Sequence, residues 1–399
     1  MFVSVLGLGV EGEAAVRSFL KYGHKVYASD LNKDLKIDIT DSNLELELGS
    51  HDFDKILSSD GVSLSPSLFH LDITRKIIDN GLFISDILDK HKSVKTIAVT
   101  GTNGKTTTTH MIYKILTDAG YNVAVGGNGG GGFTGYNDLL LEANSSDFDY
   151  LLVEVCDMTL SFSSYFFDID YVVVTNIGYD HLDIHKSIEN YTEEIRTFID
   201  SKVAVLNSND ENLMKIKTDS SVLFDKYEGN LNLFGEFNYK NADAAYKLAS
   251  ELGISDESIF KSLESFEAVG GRTVEFNFDG HRVISGKTDN IDALKAVLEE
   301  ERFETVIFGT ARRGEDCRFT MLDYLVEYNP KNLYIFKGLC DDLCDEYYNQ
   351  LKSLGFENNI EIIAIEDIPA LISKSSDEAL FIGGNGQEVL TDLNKSLKN

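Results

Sequence analysis

The stretch that most constrains this chain is a glycine-rich loop, TGTNGKTT at residues 100–107, which follows an apolar strand and opens a helix. Successive backbone N–H groups in such a loop, together with the N-terminus of the helix, form a cradle for anions. Lys105 is placed to neutralise the β- and γ-phosphates of a nucleotide, and Thr106 to offer a hydroxyl to Mg²⁺. Only two residues separate Gly101 from Gly104, where the general phosphate-loop motif has four. The strand–loop–helix context nevertheless predicts a phosphate-binding α/β domain.

Strands alternate with helices along the whole chain, which predicts doubly wound, mostly parallel sheets. At the N-terminus the apolar residues 2–6, the loop GLGVEG at 7–12 and a second strand at 25–29 form a β–loop–α–β unit. Further strands of this first domain are predicted at 54–59 and 82–85. We predict an α/β protein of three domains: Rossmann-like at 1–92, P-loop ATP-binding with a mostly parallel sheet at 93–269, and Rossmann-like at 270–399.

Three other stretches of the central domain follow predicted strands. Glu154 lies near the end of the apolar strand 150–155, where a carboxylate beside a phosphate loop is placed to bind Mg²⁺. Residues 180–185 read DHLDIH, which is either a metal or proton-transfer cluster or a polar loop with a helix cap. Residues 126–132 hold six glycines in seven positions, and their place after a strand favours a ligand loop over a linker.

The formal net charge is −30, with 36 Lys+Arg against 66 Asp+Glu. This balance argues against a general nucleic-acid binder and against docking on an anionic membrane. Six of the nine arginines lie within 272–318, so we expect them to face anionic ligands across a closing cleft. Among them, Arg312, Arg313 and Arg318 are either a solvated helix start or a grip for a carboxylate.

The four cysteines form no CxxC pair, and they predict reduced thiols rather than a zinc site. Cys156 is expected to form part of the wall of the site rather than to act as a nucleophile. We find no signal-peptide pattern and no apolar run of the ~20 residues that a membrane span needs. The sequence therefore predicts a cytoplasmic protein.

Taken together, the ordered motifs resemble those of the Mur ligases, which are three-domain, ATP-dependent amino-acid ligases of cell-wall peptide assembly. GLGVEG at 7–12 is most similar to the D-glutamate-adding member, and the chain also resembles archaeal ligases of pseudomurein peptide synthesis. Besides the phosphate loop and Glu154, the similar stretches are TNIGYDHLD at 175–183, LFGEFNYKNA at 233–242, Gly271-Arg272 and SGKTDN at 285–290.

The resemblance implies an ATP- and Mg²⁺-dependent ligase that joins an amino acid to the carboxylate of a UDP-linked acceptor through an acyl phosphate. We expect it to act as a monomer, without nucleic-acid or membrane partners. The resemblance assigns catalysis to Lys105, Glu154, His181, Lys287 and Asn128, and metal binding to Thr106, Glu154 and His181. It assigns ATP binding to Gly101, Thr102, Asn103, Gly104, Lys105, Thr106, Thr107, Asn241 and Arg272. It assigns the UDP carrier to Gly7, Gly9, Val10, Asp30 and Ser65, and the amino acid to Arg312, Arg313 and Asn385.

Several residues depart from the family pattern. Ile195 stands in register where several Mur ligases carry a carbamylated lysine that bridges Mg²⁺, and Glu193 or Glu194 is a candidate replacement for that charge. Phe237 replaces a histidine, and Ser285 replaces an aspartate two residues before the family lysine. The Asp-Asn-Pro-Arg signature of the diaminopimelate-adding member is missing, which argues against that substrate.

Other functions stay open at this point. A folylpolyglutamate synthase-like ligase is disfavoured because those enzymes begin with the ATP domain. A Mur-like ligase of a cofactor precursor and a nucleotide-binding regulator without turnover are further alternatives. GLGVEG with Asp30 also fits a nicotinamide dinucleotide, but this motif alone is weak evidence. The ATP site downstream favours a UDP carrier in the first domain instead.

Overall fold

The strands of this protein form three separate sheets, of four, six and six strands, in the residues that the computed structural model describes: 1–312, 316–338 and 342–398. The sheets take their strands from residues 2–64, 95–224 and 274–384, and we call each sheet with its helices the first, the central and the third unit. The predicted α/β fold class is therefore confirmed, while the domain limits at 92 and 269 stay predictions.

The first sheet is wholly parallel, in the order β3-β2-β1-β4. Helix α1 follows the GLGVEG loop and packs on β1 and β2. The elements are β1 (Phe2–Leu6), α1 (Val10–Lys21), β2 (Lys25–Asp30), β3 (Leu44–Leu48), α2 (Phe53–Ser58), β4 (Gly61–Leu64), α3 (Asp72–Asp79) and α4 (Ile84–Ile87).

The predicted strand at 54–59 is wrong, because these residues form helix α2. The Asp52 carboxylate accepts hydrogen bonds from the backbone N–H groups of Asp54 and Lys55, and this cap starts the helix. The predicted strand at 82–85 is also wrong, since it runs into α4 and makes a single isolated bridge to β4. Sequence analysis missed the edge strand β3, in which leucines alternate with glutamates.

The central sheet is also parallel, in the order β10-β9-β8-β5-β7-β6. Because β7 and β8 both pair with β5, the segments that follow these three strands meet at one edge of the sheet. The elements are β5 (Lys95–Thr100), α5 (Lys105–Asp118), β6 (Val123–Gly127), α6 (Tyr136–Ser145), β7 (Tyr150–Glu154), α7 (Leu160–Phe166), β8 (Ile169–Val174), α8 (Leu182–His185), α9 (Ile188–Ile199), β9 (Val203–Asn207), α10 (Glu211–Ile216), β10 (Val222–Phe224), α11 (Glu236–Glu251) and α12 (Asp256–Glu264).

The third sheet has the order β11-β12-β16-β13-β14-β15, in which only β11 and β12 pair antiparallel. Across the described ranges, none of the helices combines the length and apolar character that a membrane crossing requires. The elements are β11 (Val274–Phe278), β12 (His281–Ser285), α13 (Ile291–Leu298), β13 (Thr305–Gly309), α14 (Thr320–Tyr328), β14 (Asn332–Phe336), α15 (Cys344–Ser353), β15 (Asn359–Ile362), α16 (Ile368–Lys374), β16 (Ala379–Gly384) and α17 (Gln387–Lys398).

A pair of asparagines joins the third sheet to the phosphate loop. The Asn103 amide donates to Asn290 Oδ1 at 3.1 Å, and the Asn290 amide donates back to Asn103 Oδ1 at 2.9 Å. Nearby, the backbone N–H of Tyr179 donates to Asp292 Oδ2 at 2.8 Å. The residues after β12 are therefore held directly against the loops after β5 and β8.

Close packing in the first unit generates a stability prediction. A Cβ atom on Gly12 would lie 1.7 Å from the carbonyl oxygen of Gly7, so Gly12→Ala must push α1 away from the sheet. We expect the variant to lose roughly 3 kcal/mol of unfolding free energy. Thermal unfolding followed by circular dichroism, with hydrogen exchange of β1 and α1, measures this loss.

The matched control is Gly9→Ala in the same loop, because a Cβ there meets nothing within 4 Å. We expect Gly9→Ala to melt close to the wild type. Equal melting temperatures for the Gly12 and Gly9 variants would contradict the packing argument.

Candidate functional site

Two adjoining cavities lie where the third sheet meets the carboxyl edge of the central sheet. We call the one of about 400 Å³ the apolar cavity, because Phe224, Leu233, Phe237 and Val297 line part of it. We call the one of about 240 Å³ the phosphate cavity, and it is lined mainly by polar residues and glycines. Both cavities share Asn103, Gly104, Thr107, Arg272, Lys287 and Asp289. A nucleotide can therefore place its base in the first and its phosphates in the second.

The phosphate loop is shaped by close contacts that only glycine allows. Gly104 has φ +87°, and a Cβ on it would lie 2.3 Å from the side-chain oxygen of Asn241. The backbone N–H groups of Thr102 and Asn103 are bonded, each at 3.0 Å, to the backbone and side-chain oxygens of Asn176. The N–H groups left for an anion are therefore those at the start of α5, which lack acceptors inside the helix.

Lys105 folds back over this loop. Its ammonium donates to the carbonyl oxygens of Gly101 at 2.7 Å and Thr102 at 2.9 Å, and lies 3.9 Å from Asp157 Oδ1. Burial alone would lower the pKa of Lys105, but the nearby carboxylates, led by Asp157, raise it above its ordinary value. The side chain therefore carries its charge in the cavity.

Glu154 ends β7 and is fully buried. Its Oε1 accepts a hydrogen bond from the Asn128 amide at 2.9 Å, whereas Oε2 has no hydrogen-bond partner among the described residues. The loop that faces it is tight, since a Cβ on Gly131 would lie 2.0 Å from Glu154 Oε1. A buried carboxylate oxygen without a partner is costly unless a cation occupies its free side.

The residues around Glu154 fit Mg²⁺, which takes oxygen ligands and completes its shell with phosphates and water. Thr106 lines the same cavity, and its hydroxyl accepts a hydrogen bond from Arg272 Nη2 at 2.6 Å. His181 also lines the cavity, with Nε2 3.8 Å from Asp180 Oδ2. In the described part of the chain, no three His, Cys, Asp or Glu side chains cluster closely enough to hold a metal by themselves.

Beside the phosphate loop, Asp157, which sequence analysis did not single out, forms a buried pair with His185, the last residue of DHLDIH. His185 Nε2 lies 3.3 Å from Asp157 Oδ2, and its Nδ1 lies 2.6 Å from Glu194 Oε2. Burial favours the neutral imidazole, but the two carboxylates raise the pKa of His185 above its ordinary value. Burial also favours the neutral Asp157, yet Lys105 and His185 lower its pKa to about 2. The contacts within the pair therefore favour the charged form of each group.

Helix α9 carries Glu193 and Glu194, the candidates for the charge of the family lysine. None of its residues lines the phosphate cavity. Ile195 is fully buried in the hydrophobic core. Glu193 pairs with Arg196 on the surface, and Glu194 binds His185. The expectation that one of these glutamates faces the metal site is therefore wrong, because both are held by other partners outside the cavity lining.

Two cations from segments that follow strands of the third sheet complete the phosphate cavity. Lys287 Nζ lies 2.8 Å from Asp289 Oδ2, and Arg318 Nη1 donates to the same oxygen at 2.6 Å. Arg318 Nη2 also lies 4.0 Å from Asp180 Oδ2. Although burial favours the neutral acid, Lys287 and Arg318 hold the pKa of Asp289 well below its ordinary value, while burial lowers the pKa of Lys287.

The six arginines of 272–318 were expected to face the cleft, and only some of them do. Arg272, Arg312 and Arg318 line the phosphate cavity, as does the buried Asn385. Arg282 instead pairs with glutamates of the third unit, and Arg302 pairs with Glu304. The expectation that all six arginines face the cleft is wrong for these two, and Arg313 lies outside the described residues.

The predicted UDP-carrier residues meet at the start of α1. A Cβ on Gly7 would lie 2.9 Å from Ser65 Cβ, so the first loop and the end of β4 are in contact. The Asp30 carboxylate accepts from the backbone N–H groups of Leu8 and Asn32, each at 2.7 Å. Gly9 precedes the helix, and Val10, its first residue, is 61% exposed. The assignment of these residues to a UDP carrier stays a prediction.

Comparisons with known proteins find relatives that match most of this chain. Residues 99–224 match the family model of the Mur ligase middle domain. UDP-N-acetylmuramoylalanine–D-glutamate ligase from Pelotomaculum thermopropionicum is 32% identical over 79% of this chain and 78% of its own length. The enzyme of the same name from Pseudothermotoga lettingae is 28% identical over 96% of this chain and 89% of its own. The structure of a pseudomurein peptide ligase type C from Methanothermus fervidus superposes with a TM-score of 0.60, at 20% identity and 99% coverage of both chains.

Glu11 is a second carboxylate that sequence analysis did not single out, although it lies inside the GLGVEG loop. Its Oε1 accepts the backbone N–H of Gly129 at 2.7 Å, so α1 reaches the glycine-rich loop that carries Asn128. Burial, with a smaller contribution from the charge of Glu154, raises the pKa of Glu11 to about 7 against the opposing hydrogen bonds. A neutral Glu11 is therefore favoured in the folded protein below neutral pH.

This shift predicts a pH-dependent stability. Between about pH 4.5 and 7 the folded state binds more protons at Glu11 than the unfolded chain does, so its contribution to stability falls as the pH rises. We expect Glu11→Gln, which keeps the acceptor for Gly129, to be more stable than the wild type at pH 8 by up to about 3 kcal/mol. At pH 4.5 the difference should vanish, and thermal melts across this range measure it.

The matched control is Glu13→Gln on the same helix, because Glu13 pairs with Arg17 at the surface. We expect this variant to follow the pH dependence of the wild type. A Glu11→Gln variant with the same pH dependence as the wild type would rule out the buried-acid explanation.

Proposed function

The chain belongs to the Mur ligase family, and from this membership and the geometry of the cavities we propose that it is an ATP- and Mg²⁺-dependent ligase. It forms an amide bond between an amino acid and the carboxylate of a UDP-linked acceptor, and it releases ADP and phosphate. Its product is a peptide of a cell wall, of the murein or the pseudomurein type. The names of the two curated relatives, which are ligases for UDP-N-acetylmuramoylalanine and D-glutamate, support this reaction class.

One observation carries the proposal: cations from separate parts of the chain converge on a cavity that also holds a buried carboxylate, one oxygen of which has no partner among the described residues. Lys105 enters from the central unit, while Lys287 and Arg318 enter from the third. Glu154 supplies the buried oxygen. A triphosphate, a carboxylate and an amino acid bring several negative charges together, and such a set of groups offsets them.

Each part of the site has a proposed task. Thr106 and Glu154 hold Mg²⁺, which when bound neutralises phosphate oxygens. Lys105 and the first N–H groups of α5 hold the phosphates, and Asn241 and Arg272 flank the nucleotide. Gly7, Gly9, Val10, Asp30 and Ser65 bind the UDP carrier, while Arg312, Arg313 and Asn385 bind the amino acid.

In the proposed reaction the acceptor carboxylate takes the γ-phosphoryl group of ATP, and the amine then displaces phosphate from the acyl phosphate. Lys287 and Arg318 act from the third unit, so their contribution depends on its contact with the central unit. In this proposal the contact of Asn103 with Asn290 serves to position these cations for the reaction. The first unit provides a separate place for the carrier, which argues against a ligase that begins with the ATP domain.

Phosphate release from ATP tests the proposal directly. The purified protein is mixed with ATP, Mg²⁺ and pairs drawn from a panel of UDP-linked acids and amino acids. We expect release only when a matching acid and amino acid are both present. ATP that is never cleaved with any pair would favour a nucleotide-binding regulator instead.

A lysine variant separates the two nucleotide sites. Lys105→Ala removes the ammonium that lies over the phosphate loop, so we expect ATP turnover to fall by more than about a hundredfold. Binding of the UDP-linked acid, measured by calorimetry, should remain, because its predicted site lies at the start of α1.

The matched control is Lys114→Ala on the same helix, where Lys114 pairs with Asp118 near the surface. This change should leave both activities intact. If Lys105→Ala also abolishes binding of the UDP-linked acid, the sites are not separate.

A further inference from the structure

Asp157 presents a carboxylate to the phosphate cavity that the proposed reaction has not yet used. Its side chain is 2% exposed and lines the cavity together with Glu154 and Lys105. The two oxygens differ in their surroundings. Oδ2 faces His185, whereas the contacts of Oδ1 are long, at 3.5 Å from the thiol of Cys156 and 3.9 Å from Lys105 Nζ. Oδ1 is therefore the oxygen that can accept a further partner.

His185 fixes the position of the Asp157 carboxylate. His185 lies between Asp157 and Glu194, and its ring stacks on Tyr191 with centroids 4.2 Å apart and planes 16° apart. The stacking and the two carboxylates leave the imidazole little freedom to turn. His185 contacts Oδ2 of Asp157, whereas Lys105 lies nearer Oδ1, so His185 fixes the orientation of the carboxylate and leaves Oδ1 accessible.

When a triphosphate enters the cavity, charge balance requires a cation between Oδ1 of Asp157 and the phosphates. Lys105 then turns to the phosphates, and its partial neutralisation of Asp157 weakens. A carboxylate and a phosphate can face each other in a low-dielectric cavity only with a cation between them. α9 contributes no side chain to the lining of this cavity, and Ile195, in register with the family lysine, is buried in the core.

Glu154 shows that this cavity suits cations, because its fully buried Oε2 has no partner in the described ranges and Glu154 lines the same cavity. Magnesium prefers carboxylate and phosphate oxygens, whereas imidazole suits other metals better. Asp157 is therefore a more suitable ligand for Mg²⁺ than His181, the residue assigned from the family pattern. A site completed by phosphates also agrees with the lack of a three-residue metal cluster in the described residues.

We infer that Asp157 is a ligand of a second Mg²⁺, which joins the protein to the ATP phosphates beside the ion held by Thr106 and Glu154. His185 and Glu194 are positioning residues for this carboxylate. The inference rests on the proposed function, because it requires Mg²⁺ and ATP in the phosphate cavity.

Metal counting tests the inference without measuring activity. The full chain is titrated with Mn²⁺ in the presence of a non-hydrolysable ATP analogue, and bound Mn²⁺ is counted by electron paramagnetic resonance. We expect two ions per wild-type chain. Asp157→Asn should weaken one of them by at least roughly tenfold, since it removes the anionic ligand. Glu154→Gln should weaken the other.

The positioning role has its own readout. His185→Ala should weaken the Asp157 ion by about tenfold, as is usual when a group that orients a metal ligand is lost. His185→Gln, whose amide can still donate to Asp157, should restore much of this affinity. Glu194→Gln, a change at a half-exposed position, should weaken the same ion slightly. Glu193→Gln on the same helix is the control and should change nothing.

Two results would overturn the inference. Wild-type protein that binds a single Mn²⁺ with the analogue has no second site. Asp157→Asn protein that keeps both ions at wild-type affinity shows that Asp157 is not a ligand. Failure of the wild type to bind the analogue and Mn²⁺ at all would instead overturn the proposed function, so the two failures are distinct.

Discussion

Charge compensation in the phosphate cavity is the constraint on which the rest of the structure depends. Glu154, Asp157 and Asp289 are all buried there, and each would be costly to bury without a cation. Lys105 meets part of this need from within the central unit. Lys287 and Arg318 compensate Asp289 within the third unit and line the same cavity, so the lining is complete only when the two units touch. Contact between the units thus gathers these cations at one cavity, in a chain whose overall charge is strongly negative.

Much of the fold could be predicted because its signals are local. Apolar runs such as 96–100 and 150–155 are strands buried on both faces, and their alternation with helices predicts parallel sheets. The errors fall where local signals compete. The short stretch 54–59 was predicted as a strand, but the Asp52 carboxylate caps it as a helix. The edge strand Leu44–Leu48 was missed because its leucines alternate with exposed glutamates, as an edge permits.

The site could be predicted where chemistry lies in one contiguous stretch. Lys105, Glu154 and Lys287 each belong to a short motif at the end of a strand, and all three line the phosphate cavity. Asp157 and Glu11 could not be found this way, because their surroundings come from elements far apart in the chain. Glu11 meets a loop 118 positions away. Their roles follow from burial and partners, which a linear pattern does not contain.

The contact between Asn103 and Asn290 uses neutral amides rather than an ion pair. Mobile ions in solution screen attractions between charges, but they have little effect on a bond between uncharged dipoles. The asparagine pair is therefore insensitive to ionic strength, unlike the ion pair of Arg318 with Asp180 across the same junction. The cations that line the phosphate cavity attract anions by forces that salt also weakens. Salt therefore affects the charges of this crevice more than it affects the hydrogen bonds that hold its two sides together.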